Sequence, residues 1–187
     1  MFFVIFISVI IIQRIVELWI AKKNEIWIKK QGGVEAGKNH YKLMVLIHSC
    51  FILSLLAEVF GLKRSLIANW WILIALFILS QIGRVWVIIS LGRFWNTKIL
   101  VLPDAKIIKK GPYRWLKHPN YIIVTLELII IPLLFQAYYT LIAFFIFNLL
   151  ILSVRIPTEE RMLSLHTDYL KVQNMERRFL IHLKREK

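Results

Sequence analysis

Cysteine, acidic residues and the motifs of common hydrolytic chemistry are all scarce or missing in this sequence. A single cysteine, Cys50, excludes a disulfide framework and a thiolate metal site. The five histidines, His40, His48, His118, His166 and His182, show neither H-x-x-x-H nor H-E-x-x-H spacing, so no metal is expected. No Gly-rich phosphate loop and no G-x-S-x-G occurs, which removes nucleotidase and hydrolase readings. Internal repeats and low-complexity segments are absent too, and the length of 187 residues suits one domain over 1–187.

What the chain has in excess is apolar surface. Apolar residues make up 58% of it and charged ones 19%, more than a soluble domain of this size can bury and far from disorder. Apolar runs of roughly 20 residues recur, the length a helix needs to cross a bilayer core of about 30 Å. The expected fold is therefore all-α: an integral membrane protein with about five spans, near 1–21, 43–60, 66–91, 121–135 and 141–156. Residues 1–21 lack a basic leader and a small-x-small cleavage site, so they read as a retained span. The last two spans, joined by Gln136-Ala137-Tyr138-Tyr139-Thr140, read as a helical hairpin.

Lys and Arg total 25 against 11 Asp and Glu, a net charge of +14. In a soluble protein this balance suggests nucleic acid; here the basic residues lie between apolar runs, where they orient the chain and attract anionic lipid. Loop 22–42 carries six, loop 61–65 two, loop 92–120 seven, the turn at 136–140 none, and the segment 155–187 eight. That alternation places the amino terminus outside and the carboxyl tail in the cytoplasm. The longest polar segments then share the cytoplasmic side, as a Pro/aromatic loop and a C-terminal helix.

Two clusters carry candidate chemistry. The first is Gly111-Pro112-Tyr113-Arg114-Trp115-Leu116-Lys117-His118-Pro119-Asn120-Tyr121, just before the fourth span. Its two prolines exclude a regular helix between them, leaving a stiff loop that presents aromatic faces and donors suited to a flat cationic ligand. An interfacial aromatic anchor is the alternative, and composition alone favours it. The second cluster is Arg155-Ile156-Pro157-Thr158-Glu159-Glu160. Arg155 and Glu159 share a face if the helix is continuous, while Pro157 permits a kink and favours a helix start there. An ordinary helix start with carboxylates near its dipole is the competing reading. Gln13, Arg14, Glu17, His48 and Glu58 lie inside spans, where ionisable groups are functional candidates; Arg14 and Glu17 can also neutralise one another.

In this order and at this separation the two clusters resemble the isoprenylcysteine carboxyl methyltransferase family. That family has a Gly-Pro-Tyr…Arg-His-Pro-x-Tyr loop before a helical hairpin, followed by an Arg and a Glu-Glu pair. The matching residues here are Gly111-Pro112-Tyr113…Lys117-His118-Pro119-Asn120-Tyr121 and Arg155…Glu159-Glu160…Leu163…Tyr169. Gln13-Arg14…Glu17-Leu18…Lys22…Asn24-Glu25, with Gly32-Gly33-Val34-Glu35…His40-Tyr41, is similar to a bacterial branch of that family. Lys117 replaces the usual Arg, Leu165-His166-Thr167-Asp168 replaces the Phe-Gly pair before Tyr169, and 175–187 lacks the closing proline segment.

The resemblance implies a methyltransferase using S-adenosyl-L-methionine, held by 92–120 and 155–173. It assigns Tyr113, Leu116, His118, Pro119, Tyr121 and Glu160 to the cofactor, and Arg155 and Glu159 to the reacting centre. The physical chemistry of those side chains agrees. Carboxylates accept hydrogen bonds from a ribose or an ammonium group, and an Arg orients an anionic acceptor. A site at the membrane boundary admits a lipid-like acceptor from the bilayer and a soluble donor from the cytoplasm. The expected acceptor is hydrophobic, either isoprenylcysteine-carboxylate-like or the hydroxyl of a lipidic polyketide. N-methylation of a phospholipid headgroup and a non-enzymatic scaffold or transporter subunit are the alternatives. A reporter active only in the cytoplasm should give signal when fused after Lys187 and none when fused near Lys63; the reverse would place both clusters away from cytoplasmic cofactor.

Overall fold

A computed structural model describes residues 1–170. It comprises five α-helices and one small two-stranded sheet: α1 (Phe2–Lys30), β1 (Val34–Ala36), α2 (Lys38–Gly61), α3 (Trp70–Leu91), β2 (Ile99–Val101), α4 (Pro119–Leu134) and α5 (Tyr138–His166). Helices α1, α2, α3 and α5 are long and apolar enough to span a membrane. Helix α4 has 16 residues, a rise of about 24 Å, and falls short of a full bilayer core by itself. The all-α membrane architecture expected from composition is what the chain adopts. The expected tail segment 175–187 and the end of the expected C-terminal helix lie outside the described residues.

Element ends differ from the hydropathy boundaries. Helix α1 runs past Ala21 to Lys30, because no breaker intervenes before Gly32 and because Glu25 pairs with Lys22 and Lys29 one turn away on either side. Helix α2 begins at Lys38, ahead of the apolar run. Pro157 does not start a new helix: α5 is unbroken from Tyr138 to His166. The backbone bond that Pro157 forgoes lies beside the Thr158 hydroxyl, which donates to Val154 O at 2.7 Å. The loop expected at 92–120 also contributes a strand: β2 pairs antiparallel with β1, with Val34 opposite Val101 and Ala36 opposite Ile99.

Core packing is split into two apolar zones. The larger one joins Ile7 and Ile10 of α1, Phe51, Leu55 and Val59 of α2, Phe77 of α3, Leu128 and Ile131 of α4, and Phe144 of α5. The smaller, at the other end, joins Ala21, Val87, Trp95 and Ile123. Remaining large apolar side chains such as Ile12, Ile15, Leu53, Trp71, Ile82 and Ile89 are exposed, as lipid-facing residues must be.

Between the two zones sits a buried charge cluster. Glu127 of α4 accepts from both Arg14 of α1 and Arg84 of α3, from Arg84 Nε at 3.0 Å, and from Gln81 Nε2 at 2.6 Å. Glu17 accepts from Arg14 at 2.7 Å, Arg84 at 3.3 Å and Gln13 at 2.8 Å. Two cations face two carboxylates, so Arg14 and Glu17 are half of a larger neutral set. Glu58 has a different role. Its carboxylate accepts from Thr140 N and Thr140 Oγ1, both at 2.8 Å, and so caps the start of α5.

Removing one member leaves an uncompensated charge in an apolar interior. Arg84→Met should destabilise the protein by about 3–5 kcal/mol, read as a lowered unfolding transition in detergent. A variant as stable as wild type would show that the cluster does not tie α1, α3 and α4 together.

Candidate functional site

The loop 111–118 is fastened to α3 through Gly111. Its φ of +57° and its approach to Ser90, whose Oγ would lie 2.1 Å from an added Cβ, leave room for no other residue. Pro112 is buried in a short 3-10 turn, and Pro119 is buried as the first residue of α4. These two fixed points deliver Tyr113, Lys117, His118, Asn120 and Tyr121 to one side, facing β2 and the C-terminal part of α5. Trp115 turns outward and meets Trp86 at 6.0 Å between ring centroids.

The opposite wall is held by the C-terminal end of α1. Asn24 Nδ2 donates to Trp95 O at 2.7 Å, and Asn96 Nδ2 donates to Ala21 O at 2.9 Å. Lys98 Nζ reaches Glu25 at 2.8 Å, and Lys29 Nζ reaches Glu35 at 2.6 Å. The segment after β2 is tied to the end of α5 by Asp104 N donating to His166 O at 2.9 Å and Ile107 N donating to Asp168 Oδ1 at 3.0 Å. Thus His166 and Asp168, which replace the family's expected Phe-Gly pair, have a structural task of their own.

Three cavities lie in series between these walls. An outer lobe of about 200 Å³ includes Leu102, Ile107, Leu116, Thr167 and Tyr169 in its lining. A middle chamber of about 80 Å³ shares Tyr113, Lys117, Glu159 and Leu163 with that lobe and adds His118. A larger apolar cavity of about 330 Å³ extends between α1, α2, α4 and α5, with Arg14, Glu17, Arg84, Glu127 and His48 also lining it. The middle chamber and the apolar cavity share four residues, Trp95, Asn120, Tyr121 and Arg155. These four form a neck.

A polar chain crosses that neck. Arg155, only 4% exposed, donates from Nε to Tyr121 Oη at 3.0 Å and from a terminal nitrogen to Thr97 O. The Tyr121 hydroxyl in turn donates to Glu159 Oε2. Continuity of α5 through Pro157 is what puts Arg155 and Glu159 one turn apart on one face. Glu160 turns to the other side of Tyr121, where it accepts from His118 Nε2 at 3.1 Å and Tyr169 Oη at 3.2 Å, with Lys117 Nζ at 3.7 Å. His118 stacks on Tyr121 at 5.4 Å, with 21° between the rings. Burial, and next the Glu159 carboxylate, push the Tyr113 hydroxyl above the usual phenol range, so it remains a neutral O–H donor.

The structure therefore brings Tyr113, His118, Tyr121, Arg155 and Glu159 to one chamber, with Leu116 in the adjoining lobe. Pro119 and Glu160 sit behind the walls, setting the α4 start and the His118 ring. Sequence reasoning passed over Trp95, Lys98 and Glu127, and named Asn120 only as part of the loop motif. Glu127 was detectable, being a carboxylate within an apolar run; Trp95 and Lys98 belong to no recognisable pattern.

The chain is a helical membrane bundle in which a polar chamber adjoins a larger apolar cavity set among the spans. The model of the isoprenylcysteine carboxyl methyltransferase (ICMT) family matches residues 72–165, and the chain belongs to that family, one of membrane methyltransferases. It is 50% identical over 163 residues to the uncharacterized protein YpbQ of Bacillus subtilis (strain 168), covering 87% of this chain and 96% of that protein. It is 30% identical over 152 residues to an uncharacterized protein of Haemophilus influenzae (strain ATCC 51907 / DSM 11121 / KW20 / Rd), covering 81% and 88% respectively. No solved structure matches.

The ionic clamp behind β1 and β2 carries a pH dependence. Hydrogen bonding from Lys29 holds the Glu35 carboxyl below the usual carboxylate range. A depressed folded-state value gives stability that is present above the unfolded-state pKa and lost as pH falls through the folded one. The unfolding temperature in detergent should fall as pH drops from about 5 toward 3. The fall should be smaller in Glu35→Gln, and equal slopes in both proteins would exclude Glu35 as a source.

Proposed function

We propose that the protein is an S-adenosyl-L-methionine-dependent O-methyltransferase acting on a hydrophobic acceptor that enters from the membrane, either isoprenylcysteine-carboxylate-like or a hydroxyl of a lipidic polyketide. The series of cavities carries this reading. A polar chamber continuous in its lining with the outer lobe adjoins a larger apolar cavity at a neck lined by Tyr121 and Arg155, and in this reading the lobe lies on the cytoplasmic side.

The residues present fit such a methyl donor. Leu91, Phe94, Leu100 and Tyr113 offer an apolar and aromatic wall for a purine ring, while Lys117, His118 and Glu159 offer partners for an amino-acid head and a ribose. S-adenosyl-L-methionine supplies a methyl group on a sulfonium sulfur, which transfers in line to a nucleophile. The protein's task is alignment. Arg155 positions Tyr121 and the backbone at Thr97 and so sets the width of the neck. A carboxylate acceptor is already ionised near pH 7 and needs no base. For a hydroxyl acceptor, Tyr121 is placed to pass the proton on to Glu159, its hydrogen-bond acceptor.

The test separates donor binding from acceptor alignment. His118→Ala and Glu160→Ala should each weaken binding of S-adenosylhomocysteine by about 1–3 kcal/mol in calorimetry on detergent-solubilised protein. Wild-type affinity in a folded double variant would return the loop to an interfacial anchor. Arg155→Ala should retain that binding and lose most methyl transfer. Arg155→Lys should recover part of it, because a point charge cannot serve Tyr121 and Thr97 together. Full turnover in Arg155→Lys would remove Arg155 from the site.

A further inference from the structure

His48 and Arg14 take no part in methyl transfer at the neck, yet both line the apolar cavity. His48 Nδ1 lies 2.8 Å from Met44 O. A carbonyl oxygen only accepts, so Nδ1 carries the ring proton and Nε2 keeps a lone pair. The nearby carboxylates of Glu17 and Glu127 are already matched by Arg14 and Arg84, which leaves none to balance a charged imidazolium. Arg14 gives one terminal nitrogen to Glu17 and the other to Glu127, which does not exhaust its five N–H groups. Its side chain stays 34% exposed.

These groups sit at one depth. Arg14 is seven residues from Ala21, His48 from Tyr41, and Glu127 from Asn120, each along its own helix. Ala21 O and the Tyr41 hydroxyl both meet the segment next to Trp95, through Asn96 at 2.9 Å and Thr97 at 3.4 Å. Seven residues are two helical turns, so the layer lies about 10 Å beyond the neck. An acceptor with its reacting end at the neck lays its chain past this layer.

Ionisable groups inside a membrane face protein or a pathway, and they are costly to cover with hydrocarbon. A plain alkyl chain here would shield a donor and an acceptor from any partner. A ketone or a carboxylate accepts from Arg14 but has no proton for His48 Nε2. A hydroxyl serves both, accepting from the guanidinium and donating to the imidazole.

We infer that Arg14 and His48 form a second polar subsite, which takes a hydroxyl carried in the chain of the lipidic acceptor about 10 Å from its reacting group. The inference rests on the methyltransferase reading and deepens it: the acceptor is a lipid with two polar functions, whichever group receives the methyl at the neck. Arg14 and His48 are specificity-determining residues, apart from the groups that hold the donor.

Probe binding tests this without relying on turnover. Saturable binding of three tritiated probes is measured on the full-length protein in detergent, alongside S-adenosylhomocysteine. The probes are stearic acid, stearic acid with a hydroxyl on its tenth carbon, near the middle of the chain, and its isomer hydroxylated on the second carbon. Wild type should bind the mid-chain hydroxy acid about tenfold more tightly than stearic acid. His48→Phe, which keeps a ring and removes the acceptor nitrogen, should abolish that gain and leave stearic acid, the second-carbon isomer and S-adenosylhomocysteine unchanged. His48→Gln, which restores an acceptor oxygen, should recover part of the gain, and His48→Leu answers where His48→Phe fails to fold. Equal affinity of wild type for the mid-chain hydroxy acid and stearic acid, binding of neither, or a gain that persists in a folded His48→Phe protein overturns the inference while S-adenosylhomocysteine binding keeps the methyltransferase reading intact. Loss of S-adenosylhomocysteine binding in wild type overturns both.

Discussion

Four charges gathered inside the bundle, three of them buried and Arg14 half-buried, constrain everything else in this molecule. An isolated carboxylate or guanidinium there is prohibitively costly, so Arg14, Glu17, Arg84 and Glu127 must find one another. The observed rotation of α1, α3 and α4 lets Glu127 accept from both arginines while Glu17 does the same. Apolar packing between membrane helices discriminates weakly among rotations, because lipid tails are as apolar as leucine. The cluster supplies that discrimination. It also forms a wall of the apolar cavity, so the element that fixes the bundle shapes the space within it.

The helix register set in the membrane is carried outward to the polar chamber by two long helices. Helix α1 continues nine residues past Ala21 and offers Asn24 and Glu25 to the backbone of Trp95 and to Lys98. Helix α5 continues through Pro157 and offers Arg155 and Glu159 to Tyr121. The 111–118 loop is stiffened by Pro112 and Pro119 and pinned by Gly111 against α3. Each wall of the chamber is thus an extension of a span or a loop anchored to one. Such rigid placement is what an alignment-dependent group transfer requires.

Hydropathy made the membrane architecture legible, because a bilayer imposes one length scale on every span. It misplaced the ends of α1 and α2, since polar helical turns stabilised by pairs such as Glu25 with Lys29 carry no apolar signal. Pro157 reads as a boundary in isolation, yet the local Thr158 hydrogen bond and the surrounding bundle keep α5 continuous. The β1–β2 pair was illegible: three residues on each side, joined across two intervening helices, leave no periodicity to detect. Motif spacing located Tyr113, His118, Tyr121, Arg155 and Glu159, because their chemistry is concentrated in two short clusters. Trp95 reaches the same chamber only through tertiary packing, and nothing in its neighbours announces that.

In the proposed function the soluble donor and the membrane-borne acceptor meet at the neck, with the donor on the cytoplasmic side. Direct photolabelling with methyl-tritiated S-adenosyl-L-methionine, followed by peptide mapping, tests it most directly. The account predicts label in peptides from 92–121 and 155–170 that is lost in excess S-adenosylhomocysteine. Label confined to 1–61, or labelling that excess S-adenosylhomocysteine does not reduce, would contradict it.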